Sequence, residues 1–288
     1  MSDRVSVSKT YKLYIDGAFP RSESGRSFVV NDHRGRFLAN AAKASRKDVR
    51  DAVLAARTAF PGWSAATAYN RGQVLYRVAE FTEGRREQFV AAVAAGEGVQ
   101  SRRAQVKVDA AIDRLVWYAG WTDKLAGVLG AANPVSGPYF SFTVPEPTGV
   151  VGVLAPQSCS LLGLISVLAP IIAVGNTTVL VASERRGLPA IELAEVLATA
   201  DVPGGVVNIL TGHTAELAPW LASHADLNAL DPTGAPAELR VELARAAANT
   251  VTRVLAAPTV EPDFTKSPGL ARLRACTEAK TVWHPIGT

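Results

Sequence analysis

Between Pro145 and Gly212 the chain alternates short, wholly apolar runs with longer stretches of helical length. The runs are residues 149–155, Thr177–Val181 and residues 206–210, rich in Val, Leu and Ile and bounded by Gly or Pro. Runs of that length, with β-branched residues and no polar alternation, predict strands buried on both faces. Strands separated by helices predict βαβ crossovers and a parallel sheet. The zone 161–174 is apolar but interrupted by Gly163, Ser166 and Pro170. It is too short to span a bilayer, so it predicts a buried core helix.

The flanks follow other periods. Residues 1–10 are polar and are expected to fray. Residues 13–17 (LYIDG) alternate and predict an opening strand, in a hairpin with residues 28–31. Ser45 with Asp48 three residues on is a capping-box pattern that starts a helix. Val49, Val53, Ala56 and Phe60 follow on one face, and Pro61-Gly62 predicts its end before Trp63. A second helix from about Asn70 turns Val74, Leu75, Val78 and Phe81 inward, and a third covers residues 87–95. A long helix over residues 107–127 buries Ile112, Leu115, Val116, Tyr118 and Ala119, with Trp117, Tyr118 and Trp121 as core aromatics. Residues 137–144 alternate like a strand. Beyond Gly212 the pattern predicts a short helix at 215–223, a strand at 226–230 and a turn from Asp231 to Gly234. An Ala-rich helix at 238–254 follows, then a linker at 257–268 with three prolines.

At 288 residues and 48% hydrophobic, the chain is long enough to bury a substantial core. Its net charge of +4 is spread without a basic tract, which argues against nucleic acid as a partner. Cys159 and Cys276 give neither a disulfide framework nor metal-ligand spacing, in keeping with a reducing cytoplasm. The four histidines are scattered, so no metal site is expected. No charged-then-apolar leader pattern is visible, and a soluble protein away from membranes is the expectation.

The central wording adds a second kind of information. PEPTGVVGVLAP, APIIAVGNTTVLVASE and PGGVVNILTG resemble the cofactor-domain core of the NAD(P)-dependent aldehyde dehydrogenases. LYIDG and DAAIDRLVWYAGWTDKLAG upstream are also similar to that family, and Lys280-Thr281-Val282-Trp283 resembles its closing strand. The resemblance implies an α/β fold with a Rossmann-like parallel sheet, a small β oligomerisation element and no catalytic domain. Residues 1–136 would be the N-terminal hairpin and helical part, and 137–148 an oligomerisation strand. Residues 149–256 would form the Rossmann-like core with its covering helix, 257–268 the linker and 269–288 the C-terminal oligomerisation strand. Beginning, middle and final strand are matched while the catalytic part is not, the pattern of an internal deletion.

The chemistry of the family is carried by a Cys in G-x-x-C and a Glu in E-L-G-G-K, and neither motif occurs. Cys159 falls where the family has the Phe of PWNFP. It is a nucleophile by residue type or, the reading adopted, a small thiol that packs as a hydrophobe. Ser158 takes the place of the oxyanion-donating Asn, with a shorter reach; such a donor is worth about 3 kcal/mol in the transition state. Of the ribose-binding K-P-S-E turn Glu184 survives, while the Lys is Val181, a loss of roughly 1.5–3 kcal/mol. Of the pyrophosphate turn Thr233 and Gly234 survive. Ala235 and Leu239 replace its Ser and second Gly, and Pro236 removes a backbone donor. The resemblance therefore leaves no catalytic set and only a vestigial NAD site at Glu184, Thr233 and Gly234, so no cofactor is expected, with weak NAD binding as the alternative.

The leading expectation is a non-catalytic subunit that joins a full-length aldehyde dehydrogenase or a second copy of itself. Lys280, Thr281, Val282 and Trp283 would form the interface, because the resemblance pairs their strand with a neighbouring subunit's sheet. The alternatives are an active NAD-dependent aldehyde dehydrogenase and a nucleotide-binding module without chemistry.

Overall fold

Val150-Val151-Gly152-Val153-Leu154 carries no polar side chain, and every one of its residues is buried. Such a strand needs cover on both faces, and the chain supplies it. The computed structural model describes residues 9–287, so most of the segment expected to fray lies outside the described residues.

In chain order the elements begin with β1 (Thr10–Tyr11), β2 (Ser27–Asn31), β3 (Phe37–Ala42) and α1 (Arg46–Ala65). Next come α2 (Ala68–Gly84), α3 (Arg86–Glu97), α4 (Ser101–Ala119), α5 (Leu125–Leu129), β4 (Ala131–Asn133) and β5 (Tyr139–Pro147). The core continues with β6 (Val150–Leu154), α6 (Leu162–Ala173), β7 (Thr177–Val181), α7 (Leu188–Leu197) and β8 (Val207–Leu210). The chain then runs through α8 (Thr214–Ala222), β9 (Ala229–Asp231), α9 (Ala237–Ala248), β10 (Arg253–Val254), α10 (Ala271–Ala275) and β11 (Thr277–Pro285).

The central sheet has five parallel strands in the order β10-β9-β6-β7-β8. Side chains alternate between its faces. Val151 and Val153 join the core formed with α2, α3, α4, α6 and α7, while Val150 and Leu154 join that formed with α1, α8 and α9. Helix α6 is buried on every side, as its all-round apolar sequence requires. Among the described residues no helix is long and apolar enough to cross a membrane.

Several local expectations are corrected. Helix α1 starts at the Ser45–Asp48 capping box but runs through Pro61 to Ala65. Trp63 is only 4% exposed and its Nε1 donates to the Ile172 carbonyl at 3.0 Å. Burial of that ring plus its hydrogen bond offsets the roughly 3 kcal/mol a mid-helix Pro costs. On α2 the buried stripe is Leu75, Val78, Ala79 and Thr82, not Phe81, which is exposed. Thr82 is accommodated because its hydroxyl donates back to the Val78 carbonyl at 2.7 Å. Helix α4 ends at Ala119, and Val116 faces out. The hairpin is β2 with β3, while the opening segment bridges β8 through Tyr14 and Ile209. The Ala-rich helix stops at Ala248; Val251, at φ 57°, turns the chain into β10.

A separate antiparallel sheet has the order β11-β5-β4. Strand β11 pairs with β5 along its whole length, from Thr277↔Pro147 to Pro285↔Tyr139. Residues 257–268 carry no helix or strand, yet they are tied down rather than loose. Phe264 is buried in the core, and Arg114 donates to the carbonyls of Phe264 and Lys266 at 2.7 and 2.8 Å.

Candidate functional site

In open parallel sheets, ligands bind beyond the carboxyl ends of the strands. Here three loops converge at that edge: 155–161 after β6, 182–187 after β7 and 232–236 after β9. They carry Ser158, Glu184, Thr233 and Gly234. Ser158 and Glu184 come into one network, because the Glu184 backbone N–H donates to Gln157 Oε1 at 3.0 Å and Arg186 donates to the Ser158 carbonyl. The 232–236 turn packs directly on the end of β6, where the Gly234 N–H donates to the Leu154 carbonyl at 2.9 Å. Lys280, Thr281, Val282 and Trp283 lie apart, in the small sheet.

Each surviving polar group already has a partner within the chain. Glu261, from the segment expected to be a linker, accepts from the backbone N–H of Gln157, Ser158 and Cys159 at 2.9 to 3.2 Å. The Ser158 hydroxyl also donates to Glu261. Glu97 accepts from the Ser160 N–H and hydroxyl, both at 2.7 Å, and pairs with Lys107. Glu184 receives the Thr214 N–H at 3.2 Å, at the start of α8, and lies 2.8 Å from His213 Nδ1. Asp231 accepts from the Thr233 N–H at 3.0 Å and pairs with Arg272 at 2.8 Å. A Cβ built on Gly234 would sit 1.9 Å from the Ala155 carbonyl oxygen, so this glycine serves close packing against β6.

Burial acts on both thiols in the same direction. Burial, then the charge of Glu97, pushes the Cys159 thiol up to about 11, although its Sγ accepts the Gly163 N–H at 3.2 Å. Burial pushes Cys276 up to about 12. Both are protonated at neutral pH, whereas a nucleophilic Cys needs a lowered pKa.

A dinucleotide needs free backbone donors for its pyrophosphate and a free carboxylate for its ribose. The Thr233 N–H goes to Asp231 and the Gly234 N–H to the Leu154 carbonyl, while each oxygen of Glu184 has one contact within the chain, to His213 and to the Thr214 N–H. A cleft of about 450 Å³ does open beside Glu184, lined among others by Phe28, His33, Arg185, Arg186 and His213. Among the described residues no cluster of His, Cys, Asp and Glu could hold a metal ion. Sequence reasoning missed Glu97, Glu261, Arg114 and Arg272. Each acts on residues far away in sequence, which no local period reveals.

A family profile described as "Aldehyde dehydrogenase family" matches residues 19–258. The chain is similar to aldehyde dehydrogenase family 2 member B4, mitochondrial, of Arabidopsis thaliana, 36% identical over 249 residues, 84% of this chain and 45% of that protein. It is also similar to the putative aldehyde dehydrogenase DhaS of Bacillus subtilis, 33% identical across 85% of this chain and 50% of that protein. Among solved structures, HpcC from Thermus thermophilus superposes with a TM-score of 0.81 at 30% identity, over 85% of this chain and 47% of that one. An NAD+ complex of the Bacillus cereus aldehyde dehydrogenase superposes with a TM-score of 0.80 at 28% identity, over 85% of this chain and 50% of that one. The chain thus spans about half the length of the relatives it matches.

Proposed function

This chain belongs to the aldehyde dehydrogenase family, and from that membership we propose that it is a non-catalytic subunit with a structural or regulatory role in a homo- or hetero-oligomer. The supporting observation is what each part of the molecule leaves free. The surviving site groups Ser158, Glu184 and Thr233 are each bonded to another residue of the chain, and burial pushes both thiols up. The small sheet, by contrast, offers surface. Trp283 is 57% exposed and stacks edge-on against Tyr139 at 5.8 Å, with Phe140 also exposed.

The inner main-chain bonds of β11 go to β5 of the same chain, so the pairing we propose with a neighbour uses the outer edge of β11. Thr281 and Lys280 are likewise engaged on β5, with Thr143 at 2.8 Å and Glu146 at 2.8 Å. Exposed aromatic side chains beside an open strand edge suit strand addition by a second chain. The partner is a full-length aldehyde dehydrogenase or a second copy. Light scattering of the chain, alone and co-expressed with a full-length relative, tests this. A mass above the 30.3 kDa monomer is expected, and a strict monomer that ignores the relative overturns it.

A second reading, a nucleotide-binding module without chemistry, is favoured by the cleft beside Glu184 with its two arginines. Saturable calorimetric binding of NAD would support it. Aldehyde-dependent NADH formation that survives purification would instead restore the enzymatic reading.

A further inference from the structure

The loop leaving β6 presents four successive backbone N–H groups, and two carboxylates from distant segments take all of them. Those of residues 157, 158 and 159 go to Glu261, and that of Ser160 to Glu97. A concave run of main-chain donors of this kind is an anion-binding nest. Three features set the Glu261 portion apart from ordinary loop bonding.

First, both carboxylate oxygens are used. Oε2 accepts from Gln157 and Ser158, while Oε1 accepts from Cys159 and the Ser158 hydroxyl. That is recognition of a planar, two-oxygen anion. Second, the occupant arrives on an exposed strand of chain. Val260 beside it is 78% exposed, whereas the anchors lie to either side. Arg240 holds the Pro258 carbonyl at 2.7 Å, and Arg114 holds that of Phe264. Residues 259–263 can therefore lift without withdrawing Phe264 from the core, giving up besides the Glu261 contacts only the local bonds of Asp263 with Thr265 and Lys266. Third, a cation stands at the loop. Arg186 donates to the Ser158 carbonyl, while the neighbouring Glu97 is neutralised by Lys107.

We propose that residues 157–159 form a carboxylate-binding site, closed by the chain's own Glu261, which a free small carboxylate replaces when the 259–263 segment lifts. The site does not depend on the subunit reading given above. It couples occupancy by a carboxylate to release of a surface segment, a two-state element in which the ligand favours the open form.

The test is an amide NMR titration of the intact chain with sodium acetate, with sodium chloride at matched ionic strength as control. In Glu261→Ala the amides of Gln157, Ser158 and Cys159 are expected to shift saturably with acetate and not with chloride. The apparent affinity should be at least about tenfold tighter than for the unaltered protein, where acetate competes with Glu261. Glu261→Gln, which keeps the shape but not the charge, should fall between. Equal responses to the two salts, or no response in the folded Ala variant, overturn the proposal. If that variant does not fold, the unaltered protein is cleaved by limited proteolysis. Acetate should speed cuts within 259–263 several-fold relative to chloride, and unchanged cutting overturns the proposal.

Discussion

The guanidinium of Arg114 donates a 2.7 Å hydrogen bond to the main-chain carbonyl of Phe264, 150 residues further along the chain. Two more bonds, to the Lys266 carbonyl at 2.8 Å and the Ser166 hydroxyl at 2.7 Å, complete its coordination. One buried cation on α4 thus holds the C-terminal segment against α6.

Removing that cation should loosen the segment as a unit. Hydrogen bonds from a charged group contribute roughly 1.5–3 kcal/mol each. Arg114→Met is expected to cost about 2–4 kcal/mol in urea unfolding, with faster amide exchange across residues 264–266. A change below about 0.5 kcal/mol would show that the segment is held by other means.

Glu192 carries a pH dependence. Its carboxyl is buried on α7 and receives the Tyr11 hydroxyl on Oε1 at 3.0 Å. Burial raises its pKa above the usual carboxylate value, and the bond from Tyr11 and the charge of Lys9 only partly oppose this. A raised folded-state pKa means the native state holds the proton longer than the unfolded chain. Its contribution is fully present below the unfolded carboxylate pKa and is lost as pH rises through the folded value. Glu192→Gln should therefore raise the thermal midpoint at pH 7, with the gain shrinking as pH falls toward about 4. A gain of the same size at both ends would refute the assignment.

Trp283 separates stability from assembly. Because its ring is more than half exposed, Trp283→Ser should change the unfolding free energy of the monomer by less than about 1 kcal/mol. If the small sheet is the contact surface, the same substitution weakens association by at least about tenfold in light scattering or sedimentation. Unchanged association would remove Trp283 from the interface.

The cysteines should be slow to alkylate. With the Cys159 thiol pushed up to about 11 and Cys276 to about 12, very little thiolate exists at neutral pH. Iodoacetamide labelling of the folded chain, followed by mass spectrometry, is expected to run more than about tenfold slower than labelling in urea. Rapid selective labelling of Cys159 would contradict the geometry and revive it as a nucleophile.

The central strands were legible because each is a short apolar run between turn residues, and Thr177–Val181 is a strand over the very residues expected. The Ser45–Asp48 cap was legible for the same reason, since its partners lie three residues apart. Pro61 misled because Trp63, docking on Ile172, lies outside any local rule. Phe81 and Val116 misled because helical spacing gives a period but not its phase. Ser158, Glu184, Thr233 and Gly234 were found by resemblance, but their partners were not. Glu261 sits among prolines, and its contact with Ser158 spans 103 residues.

Tyr14 and Ile209 exchange both main-chain bonds, at 2.9 and 2.7 Å, so the β8 flank of the large sheet is sealed by the chain's own beginning. The opposite flank, β10, is two residues long and offers almost no template. Edge-to-edge growth into fibres therefore has little foothold on the large sheet, while β11 carries a nine-residue rim on the smaller one.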